Sequence, residues 1–104
     1  MISKADEVRA ALIGAVNPLS GGDGLSRDTA VIVHRGGPND AAGTEYAFIG
    51  AYFDQVAWRL TEQALGYEPS GRMIDCLKVV AGGSEFEFFF DLTEAMSGLG
   101  PMLR

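Results

Sequence analysis

Met73-Ile-Asp-Cys-Leu-Lys-Val-Val-Ala81, Gly82-Gly83 and Ser84-Glu-Phe-Glu-Phe-Phe-Phe-Asp-Leu92 form the stretch on which the fold turns. Two runs of β-branched and aromatic residues flank a glycine pair able to adopt positive φ, which is the pattern of a tight hairpin. Pairing Ala81 with Ser84 sets Lys78 opposite Glu87 and sorts the side chains onto two faces. One face carries Met73, Leu77, Val79, Phe86, Phe88, Phe90 and Leu92; the other carries Ile74, Cys76, Val80 and Phe89 among Lys78, Glu85, Glu87 and Asp91. A slip of one residue would set Glu85 against Val79 and Glu87 against Leu77, so that register is rejected. Asp75 alone offends the pattern. It falls on the aromatic face opposite Phe90, where an unpaired carboxylate is costly. Either Arg72 or Arg59 answers it as an ion pair, or it is a site carboxylate with a raised pKa.

Outward from the hairpin the period changes. Residues 51–65 place Phe53, Val56, Ala57, Leu60 and Ala64 on one helical stripe, with Gly66 and Pro69 beyond as terminators. Thr44-Glu-Tyr-Ala-Phe-Ile49 alternates as a strand, with a helix beginning near Thr44 as the rival reading. Gly36-Gly-Pro-Asn-Asp40 interrupts, and Thr29-Ala-Val-Ile-Val33 is a β-branched strand. Residues 3–16 repeat apolar side chains at helical spacing and Asn17-Pro18 stops them; residues 93–97 make a short terminal helical turn.

These elements predict a single α+β domain over residues 1–104: a four-stranded, mainly antiparallel sheet with two helices on one face. The halves also align loosely. Asp6-Glu-Val8 falls on Asp54-Gln-Val56, Gly36-Gly37 on Gly82-Gly83, and Thr44–Ile49 on Ser84–Phe89, which suggests a tandem αββ repeat over 3–49 and 51–92; convergent use of Gly turns gives the same resemblance.

Of 104 residues, 47% are hydrophobic and ten are aromatic, well outside the composition of disordered chains. Fourteen acidic against eight basic side chains leave a net charge of −6, which opposes nucleic acid and anionic membrane surfaces as partners. The first residues lack the apolar core of a signal peptide, and the single Cys76 has no partner for an internal disulfide, so a cytoplasmic location is expected.

Few residues carry chemistry. His34, Cys76 and Asp75 offer one each of a base, a nucleophile and an orienting group, yet Cys76 sits mid-strand and reads as a packing residue. One His and one Cys do not make a structural zinc site, and the 23–28 segment lacks the ligands of a calcium loop, so no metal or cofactor is expected. The Gly-rich segments 21–24 and 36–38 match no phosphate-binding motif. With Arg27, His34, Arg35 and Asp75 they mark the candidate small-ligand residues.

The second hairpin face is too apolar for water, because two helices cover only one side of such a sheet. Ile74, Cys76, Val80 and Phe89, with Trp58, are therefore the candidate interface. The expectation is a small non-enzymatic module that binds another protein or a second copy of itself. The alternatives are a small anionic-ligand sensor or minimal enzyme at the Gly-rich loops, and an immunity- or antitoxin-like inhibitor.

Overall fold

The computed structural model describes residues 3–37 and 40–97. In chain order the elements are α1 (Lys4–Ala11), β1 (Leu19–Gly21), β2 (Val31–Val33), α2 (Ala41–Phe53), β3 (Trp58–Tyr67), β4 (Met73–Ala81), β5 (Ser84–Asp91) and α3 (Thr93–Ser97). The strands form one five-stranded sheet in the order β1-β2-β5-β4-β3. All neighbours are antiparallel except β2 and β5. The fold is α+β, as expected.

The hairpin register stands. Ala81 faces Ser84, Lys78 faces Glu87 and Asp75 faces Phe90. Leu77, Val79, Phe88 and Phe90 turn inward, join Val31 and Val33, and are covered by Ala5 and Val8 of α1 and Phe48 and Ile49 of α2. Both long helices thus lie on one face of the sheet. Phe48 is the centre of an aromatic cluster, edge-on to Phe90 and Phe88 with ring centroids 5.6 and 6.4 Å away.

Three expectations are overturned. Residues 44–49 are helix: α2 starts at Ala41, its N-cap Asp40 accepts the Gly43 N–H at 2.7 Å, and Thr44, Glu45, Phe48 and Ile49 form its buried stripe. The Tyr46/Phe48 alternation was incidental to that longer period. Residues 58–67 are strand, not the second half of a helix. The ladder jumps from Leu60 opposite Val79 to Glu62 opposite Lys78, so Thr61 is an extra, bulged residue whose hydroxyl donates to the Lys78 carbonyl. The bulge puts Leu60 and Gln63 on the same face, and spacing by three imitates a helical stripe.

The third correction is the count of strands, five and not four. Leu19–Gly21, within a segment read as loop, pairs with β2. Gly21 stands at φ 89° there, and a Cβ would lie 2.5 Å from the Ala30 carbonyl oxygen, so the close strand pairing requires glycine. The landmarks of the proposed repeat do not occupy like elements, since Thr44–Ile49 is helical and Ser84–Phe89 is extended, and Asp54-Gln-Val56 lies in the turn after α2. The first helix is also shorter than the 3–16 pattern, ending at Ala11. Pro38 and Asn39 of the 36–40 turn lie outside the described residues. Among the described residues no helix is long and apolar enough to cross a membrane.

Candidate functional site: an open strand edge beside a buried carboxyl pair

β3 closes the sheet at the side opposite β1, so among the described residues one row of its N–H and C=O groups has no neighbouring strand. Eight of its ten residues are exposed, which leaves that row reachable by another chain. Long unprotected edges of this kind template strand addition. Leu65 is 47% and Tyr67 73% exposed, and both add apolar surface to the edge.

Next to this edge the core contains two acids. Glu45 sits one turn into α2, on the stripe that Thr44, Phe48 and Ile49 place against the sheet, and Asp75 sits on the inner face of β4 opposite Leu65. They are 1% and 2% exposed. Gln63, two residues before Leu65 on the same face of β3, donates its side-chain N–H to Asp75 Oδ2 at 2.7 Å. Among the described residues no N–H or hydroxyl donor reaches Asp75 Oδ1 or Glu45 Oε2, so a hydrogen bond between the two acids needs a proton on one of them. Burial, then the hydrogen bond and charge of Asp75, push the Glu45 carboxyl up to about 10, with Asp40 adding in the same sense. Glu45 is therefore a neutral acid at pH 7, and its proton is the donor that Asp75 lacks. The two face an open cleft of about 600 Å³ whose other lining residues include Ala41, Leu65, Leu92 and Met96, with Asp40 at its edge.

Neither expected arginine answers Asp75. Arg72 pairs with Asp91 at 3.1 Å and Glu68 at 3.3 Å, and Arg59 lies opposite Val80 on the other face. The candidate ligand residues do not converge: Arg27 lies 3.9 Å from Glu68 and over the Phe89 ring, His34 and the Arg35 backbone bind Glu94, and Asp75 is in the cleft just described. His34, Cys76 and Asp75 do not form a unit either, because His34 contacts Ser20 and Glu94. Among the described residues no cluster of three or more His, Cys, Asp or Glu is placed to hold a metal ion.

The expected interface residues sit on the outer face, except Trp58, which begins β3 and packs beside Tyr46 at 6.2 Å between ring centroids. Their exposure is uneven. Ile74 is fully buried within its own chain, while Cys76, Val80 and Phe89 are half-buried. The loop ahead of β2 folds over this face: the Phe89 N–H donates to the Gly24 carbonyl at 2.7 Å and Arg27 stacks on the Phe89 ring. Cys76 donates to Glu87 at 3.3 Å, and burial first, then Glu87, pushes its thiol up to about 11. Iodoacetamide at pH 7.5 should accordingly modify native Cys76 at least ~10-fold more slowly than the unfolded chain; equal rates would show the thiol to be unscreened.

The sequence does not single out Glu45, because the strand reading of residues 44–49 sets it on the face opposite Tyr46 and Phe48. On a helix, the Ala41, Glu45, Phe48 and Tyr52 spacing places it among apolar neighbours. Ser20 and Glu94 carried no signal, being 14 and 60 residues from His34. No family model, curated protein or solved structure matches this chain.

Proposed function

We propose that the protein is a binding module that takes an extended, basic segment of a partner protein along β3, with a Lys or Arg side chain of that segment entering the cleft above Glu45 and Asp75. The observation that carries this reading is a pair of buried carboxyl groups held together by one proton in the wall of a cleft, beside a strand edge with no neighbour among the described residues. A cation in the cleft displaces the shared proton and takes its place as donor to both carboxylates. Main-chain bonds to β3 give affinity; the cleft gives selectivity. The net charge of −6 favours approach of a basic partner and disfavours a second copy of the same chain. An anionic ligand is disfavoured for the same reason. The binding surface is thus the β3 edge, not the outer face expected from the sequence.

A random-peptide display selection on the folded protein tests this. Enriched peptides should alternate apolar residues around one Lys or Arg, protect the backbone amides of β3 from hydrogen exchange, and lose about tenfold in affinity or more when that Lys or Arg becomes Gln. Neutral or acidic peptides, or binding that leaves β3 unprotected, would overturn the proposal. So would concentration-dependent self-association that protects the same amides, which would make the partner a second copy.

A further inference from the structure

The opposite edge of the sheet holds a separate arrangement. Ser20 faces Ile32 across the β1–β2 pair, and His34 follows two residues beyond Ile32, so Ser20 and His34 share the face turned away from α1 and α2. The His34 backbone N–H donates to the Pro18 carbonyl at 2.9 Å and continues the pairing. α3, starting two residues after β5, brings Glu94 to the end of β2. Ser20 Oγ lies 2.6 Å from His34 Nε2, His34 Nδ1 lies 2.8 Å from Glu94 Oε1, and Glu94 Oε2 accepts the Arg35 backbone N–H at 3.0 Å.

Each contact fixes the next. The carboxylate accepts the Nδ1 proton, which leaves Nε2 as the acceptor facing the serine hydroxyl. That is the tautomer a general base needs, and the second Glu94 oxygen is tied down so that the ring is held. The ladder bonds of β1 run through Pro18, Ser20 and Gly22. Its alternation turns the Gly21 N–H away from β2, toward the side of β1 that has no neighbouring strand among the described residues, and this N–H, next in sequence to the serine, is the candidate donor to a developing oxyanion.

We infer that Ser20 is a nucleophile for acyl transfer, with His34 as its base and Glu94 as the positioning residue, acting on carboxylic esters presented from solvent. Ser20 Oγ bonds to the ester carbonyl carbon as its proton passes to Nε2. The acyl–oxygen bond then breaks and that proton leaves on the alcohol. Water repeats the sequence in reverse: it gives a proton to Nε2, its oxygen joins the acyl carbon, and Ser20 leaves with the proton returned, so that a carboxylic acid is released and the enzyme is restored.

The test is labelling of the folded protein by a fluorophosphonate, with the adduct located by mass spectrometry. Wild type should be modified at Ser20, and His34→Gln should slow modification at least ~10²-fold, the usual contribution of a general base. Glu94→Gln should change the pH profile of the labelling rate as well as its magnitude. Ser20→Cys gives a check that does not depend on loss of signal, because its alkylation should outpace that of Cys76 and slow when His34 is also replaced. No adduct at Ser20, labelling at the same rate in His34→Gln, or an alkylation rate of Ser20→Cys indifferent to His34 would overturn the inference. None of these readouts involves the β3 edge.

Discussion

Glu45→Gln should make the folded protein more stable in alkaline solution and flatten its dependence on pH. Wild-type Glu45 carries a proton in the fold up to about 10, whereas an unfolded glutamate loses it near 4.5. Between those values the folded state binds the extra proton, so stability is fully present below 4.5 and is lost as pH rises toward about 10. The limiting slope for one group is about 1.4 kcal/mol per pH unit. Gln keeps the shape of the neutral acid and can donate to Asp75, but has no proton to lose. Urea titrations at pH 5, 7 and 9 should therefore converge for Glu45→Gln and spread by several kcal/mol for wild type. Asp6, Asp23, Asp91 and Glu94, all held below their ordinary values by hydrogen bonds and charge, act in the opposite sense: their contribution is present above the unfolded values and fades as pH falls through the lowered ones. The stability maximum should accordingly lie near pH 5. Wild-type stability that rises steadily from pH 5 to 9 would show that Glu45 is ionised in the fold.

The same substitution separates the acid pair's two roles. A peptide whose arginine enters the cleft expels the Glu45 proton from wild type, and calorimetry in buffers of different ionisation enthalpy reads that release. With Glu45→Gln the release should vanish while the β3 main-chain contacts persist. Binding of the peptide with no proton release from wild type would place the cation elsewhere.

What was legible in the sequence follows from where local pattern and tertiary context agree. The β4–β5 hairpin was legible to the residue because turn chemistry, charge pairing and two-face sorting converge on one register. The burial of Asp75 followed from that register alone. The middle of the chain was not legible, and the reason is specific. Tyr46, Ala47 and Phe48 alternate over a window too short to distinguish period 2 from period 3.6, whereas the Asp40 cap and the Thr44–Phe48 and Glu45–Ile49 spacings settle it once the helix start is known. In β3 the bulge at Thr61 breaks the alternation that marks a strand. Both errors have one consequence for function: with residues 44–49 read as strand and β3 read as helix, neither the carboxyl pair nor the open edge exists. The Ser20, His34 and Glu94 contacts lay beyond reach for another reason, since they depend on a three-residue strand and on a parallel β2–β5 pairing that no local pattern announces.

Phe48→Ala should cost about 3–5 kcal/mol, the range for deleting a large aromatic from a packed core. The side chain is fully buried, and its ring meets Phe88, Phe90 and Tyr52 at centroid separations between 5.6 and 6.4 Å. The substitution loses the transfer energy of the ring, the edge-to-face contacts and the packing of the cavity walls. Phe48 also fastens the turn of α2 that carries Glu45. Loosening it should admit water to the acid pair and lower the Glu45 pKa, so the variant's stability should depend less steeply on pH than wild type. Phe48→Leu, which keeps most of the volume, should recover more than half of the loss. If Phe48→Ala costs under about 1 kcal/mol by urea denaturation, with an unchanged dependence on denaturant, then α2 does not anchor the core and the position assigned to Glu45 fails with it.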